Sequence, residues 1–231
     1  IINEKSIKKT HAKKIQNWSS IIMNYVLNNK YDIYTVEINQ KSAFEYFKKK
    51  SIFSLIKYFF MFSLPVYFLR RSAFLRNSFR KLILFLGEYK FHPDIYKKYD
   101  PKLLIVNSIG FKTDTYLLRE AKKNGVKCIS AVMNWDNTTT KGMSGCKPDK
   151  AIAWNNIMLK ELINHHDLKR ENIFVGGIPH YSLYQKKETY YYKSEFCNNY
   201  NLSINKKIIF FGTMSPTRFK SNAKIIELIA N

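Results

Sequence analysis

The chain has 231 residues, of which 45% are hydrophobic and 16% aromatic. This composition excludes a wholly disordered chain, because it supplies enough apolar surface for a sizeable core. The three cysteines, Cys128, Cys146 and Cys197, are too few and too scattered for a disulfide framework or a four-ligand zinc site, and they favour a reducing, cytoplasmic location.

The formal net charge is +22, from 39 basic and 17 acidic residues. Only seven of the basic residues are arginine, the side chain on which specific phosphate and base recognition depends. We therefore expect much of the charge to be a solvated lysine surface, and we expect no specific nucleic-acid partner. A non-enzymatic basic module that binds nucleic acid or anionic membrane stays open as an alternative.

The N-terminal elements are predicted from the spacing of hydrophobic residues. An amphipathic helix is predicted for residues 12–28, with Trp18 and Ile22 among its inward side chains. The alternation of residues 31–38 predicts a strand.

An apolar stretch, residues 52–69, lies inside a basic helical segment that covers residues 44–90. It approaches the length of a membrane-spanning helix, but Lys57 and Pro65 interrupt it and basic residues flank both of its ends. Two interpretations stay open: a buried helical hairpin broken at Pro65, or a membrane-surface segment. On the second interpretation four arginines meet anionic headgroups: Arg70, Arg71, Arg76 and Arg80.

From residue 102 onward, apolar runs alternate with helical patterns. Strands are predicted at 102–106, 126–133, 150–154 and 172–175, with helices at 113–124 and 157–166. This order predicts an α/β fold of Rossmann type, with a parallel sheet covered by helices on both faces. A further strand at 207–211 and a helix at 220–230 then indicate the opening of a second α/β domain.

The most distinctive stretch is residues 134–142, with the sequence WDNTTTKG after Asn134. It places a carboxylate, hydroxyls and an ammonium at the carboxyl end of a predicted strand, where ligands of open α/β sheets bind. Asp136 is suited to accept a proton from a hydroxyl nucleophile, and Lys141 to bind phosphate oxygens. The alternative is that these side chains satisfy backbone groups of an exposed loop.

Further motifs follow in a fixed order: Pro148-Asp149, Ala153-Trp154-Asn155, Glu161 and a Val-Gly-Gly-Ile-Pro turn at 175–179. As an ordered set with residues 134–142, they resemble a pattern in bacterial GT-B-fold glycosyltransferase-like proteins of surface-polysaccharide synthesis. The turn is similar to one in nucleotide-sugar 2-epimerases and teichoic-acid polymerases. The resemblance covers residues 101–231.

This resemblance implies two Rossmann-like domains that face one another across a cleft. Residues 1–181 would form the acceptor-side domain, 182–205 a linker helix, and 206–231 the start of a truncated donor-binding domain. Such enzymes usually need no metal and no cofactor besides the nucleotide-sugar donor, which is a substrate.

The resemblance also implies a set of site residues. The acceptor side of the cleft would be formed by Asn134, Trp135, Asn137, Thr139, Thr140, Lys141 and Gly142. The turn with Gly212, Thr213 and Ser215 would approach the donor diphosphate. Either Asp136 or His11 would be the base that deprotonates the acceptor.

We therefore expect transfer of a sugar from a nucleotide-diphosphate donor to a hydroxyl acceptor, either lipid-linked or a surface glycan. The protein would be cytoplasmic and peripheral on the inner face of the cell membrane, and this piece alone would be inactive. A nucleotide-sugar 2-epimerase and a CDP-glycerol-type phosphotransferase stay open as alternatives within the same fold.

Overall fold

A computed structural model describes residues 11–27, 33–186, 190–213, 215 and 221–230, together with their side chains except those of 11–13, 179 and 180. The chain divides into two compact units, Ile1–Pro179 and His180–Asn231.

The described part of the first unit opens with a series of helices: α1 (His11–Val26), α2 (Tyr34–Lys50), α3 (Ile52–Tyr58), α4 (Leu64–Arg71), α5 (Ala73–Leu86) and α6 (Pro93–Tyr99). The serine hydroxyls of Ser51 and Ser72 accept hydrogen bonds from the backbone N–H groups of Ser54 and Leu75. These side-chain caps satisfy backbone donors that a helix start leaves unpaired, and so fix where α3 and α5 begin.

The strand predicted for residues 31–38 is wrong, because α2 already begins at Tyr34 and continues to Lys50. Val36 is the buried residue of α2, and it packs in one cluster with Ile22 of α1. A helix satisfies its backbone hydrogen bonds internally and needs only one apolar stripe, whereas a strand needs a partner strand beside it. Packing against α1 therefore overrides the short alternating pattern.

The hairpin predicted to break at Pro65 is also wrong. A five-residue π-helical turn, Phe59–Ser63, joins α3 directly to α4, and Pro65 lies at the start of α4. Proline is tolerated in the first turn of a helix, where its missing N–H would have no intrahelical partner. The chain instead changes direction at Ser72, which is extended.

The predicted α/β fold with a parallel sheet is confirmed. Its elements are β1 (Leu103–Val106), α7 (Lys112–Lys123), β2 (Lys127–Ala131), a short α8 (Asn137–Thr140), β3 (Lys150–Ala153), α9 (Asn156–His166) and β4 (Ile173–Val175). All pairs are parallel, in the order β1-β2-β3-β4. Apart from α8, which was not predicted, these bounds agree with the predicted ones to within two residues.

The expectation of helices on both faces of this sheet is wrong for the described part of the chain. Alternate residues such as Val106 and Ala153 are buried, whereas Ile105 and Phe174 on the opposite face are 62% and 68% exposed. The strands follow one another in sequential order, and right-handed crossovers in one direction place every connecting helix on the same face.

The second unit contains a 3₁₀ helix, Pro179–Gln185, which begins at the unit boundary, and two helices, α10 (Lys193–Asn199) and α11 (Asn222–Ala230). The helix predicted at 220–230 is confirmed by α11. The strand predicted at 207–211 is wrong: these residues are irregular, and Phe210 is 93% exposed. A strand exists only when a neighbour pairs with it, and the described residues offer none here.

Candidate functional site

A cleft lies where the loops after β1 and β2 meet the helices α1 and α2, all within the first unit. The loop after β2 is fixed to α1 because the N–H of Met143 donates to the carbonyl of Met23 over 3.0 Å. The loop after β1 is joined to the loop after β2, because the N–H of Met133 donates to the carbonyl of Asn107 over 3.1 Å. The cleft thus opens at the carboxyl ends of parallel strands, the usual ligand-binding edge of such sheets.

Two glycines allow the walls of the cleft to approach this closely. Gly110 and Gly142 both have left-handed backbones, with φ of +93° and +82°. A Cβ atom on Gly110 would lie 2.2 Å from the carbonyl oxygen of Gly142, and one on Gly142 would lie 2.3 Å from Oδ1 of Asn24. Only glycine meets both the backbone and the space requirement at these positions.

The cleft has a volume of about 530 Å³, and its lining combines apolar side chains such as Ile21, Val36 and Phe111 with polar and positively charged ones. Its lining includes three cations, three amides and three hydroxyls: Lys112, Arg119, Lys141, Asn17, Asn24, Asn39, Ser20, Thr115 and Thr140. No aspartate or glutamate from the described part of the chain belongs to this lining. A negatively charged ligand would therefore meet attraction from several sides, although Asp136, outside the lining, offsets part of the charge of Lys141.

Arg119 is the fully buried cation among the residues that line the cleft. Its residue exposure is 0%, and its guanidinium donates to the carbonyl of Gly145 at 3.1 Å and to Oγ of Ser19 at 3.4 and 3.5 Å. The ring of Tyr89 lies 5.6 Å from the guanidinium carbon, and Nε has no hydrogen-bond partner within the described structure. Burial lowers the pKa of Arg119 from its usual value. None of the ion pairs among the described residues includes Arg119, so its charge is uncompensated.

The N-terminal end of α7 adds to the positive potential. Phe111, Lys112 and Thr115, from the start of this helix, all line the cleft, and no side chain caps its first residues. Free N–H groups and the helix dipole favour anions at such an end, although the carboxylate of Asp114 in its first turn offsets part of the dipole. Arg119 lies two turns further along the same helix, so both features act on one space.

The 134–142 stretch contributes to the cleft only through its last three residues. Thr140, Lys141 and Gly142 line it. Asp136 does not belong to the lining, but Oδ2 of its carboxylate accepts a hydrogen bond from Oγ1 of Thr140 at 2.9 Å and lies 3.8 Å from Nζ of Lys141. Asp136 therefore orients the side chains of Thr140 and Lys141 from outside the cleft.

Four other predicted cleft residues do not line this cleft: Asn134, Trp135, Asn137 and Thr139. Trp135 is exposed, Asn137 is buried, and Oγ1 of Thr139 turns back to the carbonyl of Asp136 at 3.3 Å. The reason is that α8 winds residues 137–140 into a single helical turn, which sends consecutive side chains in different directions. The expectation that the whole stretch faces one cleft is corrected accordingly.

Behind α8 lies a buried polar network. The hydroxyl of Thr138 donates to Glu161, and Nε2 of His166 lies 2.8 Å from the carbonyl of Thr138. The N–H of Ser144 points at Nδ1 of His166 over 3.2 Å, so Nδ1 is an acceptor and the ring proton is on Nε2. Burial lowers the pKa of His166 to about 3. The neutral ring thus supports the loop that carries the cleft residues.

The remaining predicted site residues lie elsewhere. His11 begins α1, and its side chain is outside the described residues. Gly212, Thr213 and Ser215 belong to the second unit and are in no regular secondary structure. The described residues contain no group of three or more His, Cys, Asp or Glu side chains that could hold a metal ion.

Two of the four predicted membrane-surface arginines are buried. Arg76 and Arg80 are 4% and 6% exposed and both pair with Asp167, so the expectation that they meet headgroups is wrong. Arg70 is half-buried and donates to the carbonyl of Tyr25, whereas Arg71 is exposed and stacks on the ring of Tyr67 at 3.5 Å.

Sequence reasoning missed Arg119 and Lys112. A signal for Arg119 was present, because it lies three residues after Tyr116, one of the inward positions of the predicted helix 113–124, and so shares a face with it. A charged residue among inward positions must find a partner or a ligand.

Comparison of the chain with known proteins gives no match to a family model, to a curated protein or to a solved structure. The cleft itself is therefore the basis on which a function can be assigned.

Proposed function

We propose that the chain provides the acceptor-side lobe of a GT-B-type glycosyltransferase, which moves a sugar from a nucleotide-diphosphate donor to a hydroxyl acceptor. One observation carries the proposal: a cleft at the carboxyl ends of β1 and β2 brings together Lys112, Arg119, Lys141 and the start of α7, with no carboxylate in its described lining. A diphosphate is an anion that such a set neutralises without a metal.

The burial of Arg119 is what favours a ligand over a solvated basic surface. A buried cation without a carboxylate partner costs free energy, and a bound anion supplies the missing charge. Surface lysines, by contrast, stay hydrated and gain little from a ligand. The phosphate would come from the donor or from a lipid-linked acceptor, since both carry the same diphosphate chemistry.

The proposed roles follow from position. The acceptor oxygen bonds to the anomeric carbon as the bond from that carbon to the donor diphosphate breaks. The acceptor proton passes to the hydroxyl of Thr140, which lines the cleft and donates its own proton to Asp136. Lys112, Arg119 and Lys141 stabilise the charge that develops on the leaving diphosphate. Thr140 and Lys141 contact Asp136, which keeps base and cations beside one another.

Binding is tested by calorimetry on the full chain with UDP, GDP, CDP and farnesyl diphosphate, which separate a nucleotide source of the phosphate from a lipid source. We expect one of these to bind, and Arg119→Met to weaken it about 10- to 100-fold, as expected for loss of charge-assisted hydrogen bonds. Arg170→Met is the matched control, because Arg170 is exposed and outside the cleft. Absence of diphosphate binding by the unaltered chain would overturn the proposal.

The reaction is tested with radiolabelled nucleotide sugars and a hydroxyl acceptor, on the chain extended by its donor-binding lobe, because this piece alone is expected to be inactive. A glycoside product whose rate falls at least 100-fold in Asp136→Asn supports sugar transfer with Asp136 as base. An epimerised free sugar or transfer of glycerol phosphate would instead assign one of the other reactions of the same fold. Equal turnover in Asp136→Asn would remove Asp136 from the mechanism.

A further inference from the structure

The helices from α3 to α5 expose large apolar side chains. The continuous helix Ile52–Arg71 has 20 residues, and 18 consecutive residues of it have a mean hydropathy of 1.7, yet only 17% of these are buried. Phe53 is 77% exposed, and Phe74 and Phe85 of α5 are 76% and 78% exposed. Apolar surface of this extent marks an interaction site, because water is a poor solvent for it.

The inner face of the same helix is held in the core. Val66 and Leu69 pack with Ile22 and Val26 of α1 in one buried cluster. The indole N–H of Trp18, also in α1, donates to the carbonyl of Met61 in the π-helical turn at 3.0 Å. The helix would lose these contacts if it crossed a bilayer, so only its outward face is available to a partner.

The charges around this outward face are mostly positive, although Glu37 of α2 lines a groove together with Tyr67 and Arg71. Residues 46–87 contain no aspartate or glutamate. Six exposed basic residues lie in or beside the apolar face: Lys48, Lys49, Lys50, Lys57, Arg71 and Lys81. Arg71 stacks on Tyr67, which combines a ring and a cation as at a lipid–water boundary. Apolar rings with basic neighbours are complementary to anionic headgroups above hydrocarbon.

We propose that the outward face of α3, α4 and α5 docks on an anionic membrane surface, with the helices lying in the plane of the interface. The proposal rests on this surface alone and holds whatever reaction the cleft performs. It also accounts for basic residues at both ends of the apolar helix, which a surface helix accommodates and a spanning helix does not.

The first test is flotation of the full chain with vesicles of phosphatidylcholine, or of an equal mixture of phosphatidylcholine and phosphatidylglycerol. We expect binding to the mixed vesicles that weakens as sodium chloride rises, and little binding to phosphatidylcholine alone. Release by alkaline carbonate distinguishes a surface helix from a spanning one. No binding to the mixed vesicles, or carbonate-resistant binding to both kinds, would overturn the proposal.

Matched variants locate the surface. The double variant Phe53→Ser with Phe60→Ser should abolish flotation. Phe210→Ser should leave flotation unchanged, although Phe210, in the second unit, is even more exposed. The double variant Lys48→Gln with Lys49→Gln should weaken vesicle binding about 30-fold. The double variant Lys206→Gln with Lys207→Gln removes the same charge and should weaken vesicle binding much less. Circular dichroism verifies that each variant is folded. If the phenylalanine variant instead dissolved an oligomer and left vesicle binding intact, a second copy would be the partner and the proposal would fail.

Discussion

Arg76 donates two hydrogen bonds to the carboxylate of Asp167, from Nε to Oδ2 at 2.9 Å and from the terminal nitrogen Nη2 to Oδ1 at 2.5 Å. Arg80, one turn further along α5, adds a third bond to Oδ2 at 2.9 Å. Asp167 follows α9 with a left-handed backbone, at φ of 57°. One carboxylate thus joins α5 to the end of α9, and it is the shared partner of two buried guanidinium groups.

Replacing Asp167 by Asn should destabilise the fold strongly. The variant leaves Arg76 and Arg80 buried with no carboxylate, and breaking such a pair typically costs about 3–5 kcal/mol. Urea unfolding followed by circular dichroism measures the change. Glu171→Gln is the control, because its pairing with Lys169 is exposed and should contribute little. A loss in Asp167→Asn no larger than in the control would contradict the assigned role.

His166 should make the fold sensitive to mild acid. Its pKa is about 3 in the folded chain, well below the usual 6.5, so between these values the unfolded chain binds the additional proton. The free energy of unfolding should therefore be highest above pH 6.5 and fall as pH decreases, by up to about 1.4 kcal/mol per pH unit from this group.

The change His166→Gln tests this origin of the pH dependence. Glutamine keeps a donor for the carbonyl of Thr138 but does not titrate. Its unfolding free energy, measured in urea at several pH values, should be lower near neutral pH and flatter between pH 4 and 6.5. An unchanged slope would assign the acid sensitivity to other groups.

Arg119→Met should leave stability nearly unchanged while it weakens ligand binding. A buried guanidinium without a carboxylate contributes little net stability, and methionine fills the same space without the desolvation cost. We expect a change below about 1 kcal/mol in the free energy of unfolding. A loss of several kcal/mol in thermal or urea unfolding would instead show that Arg119 is a structural residue.

The three cysteines should be almost unreactive in the folded chain. All of them are buried, and burial raises the pKa of Cys128 to about 11 and that of Cys146 above its usual value. Since the thiolate is the reacting form, modification by a thiol reagent at pH 7.5 should be slow and should accelerate in urea in step with unfolding. Rapid labelling of one thiol in the native chain would show local opening at that site.

Much of the α/β unit could be predicted because its signals are local. Short apolar runs, helical spacing and the glycine after α7 gave strands and helices to within two residues of the observed bounds. The position of the 134–142 stretch at the carboxyl end of β2 followed from the same order. The sequence did not predict that Thr140, Lys141 and Gly142 line the cleft while Trp135 lies outside it. That division depends on the single turn of α8.

The failures share a non-local origin. Residues 31–38 alternate like a strand, but α1 offers an apolar stripe on which a helix packs. Residues 207–211 are apolar like a buried strand, but the described residues of their unit supply no strand to pair with. Periodicity records which side chains prefer to be buried, and it does not record which surface is available to bury them.

The amino-acid sequence by itself determined the order of strands and helices in the α/β unit. It also determined the net charge of the chain and the apolar, basic character of residues 44–90. Only the tertiary structure decided that Arg119 is buried without a carboxylate and that Arg76 and Arg80 pair with Asp167. It also decided that Phe53 and Phe85 face outward. Secondary structure follows from neighbours along the chain, whereas burial and charge pairing depend on residues that are distant in sequence. Arg76 and Asp167, separated by 91 positions, meet only after the chain has folded.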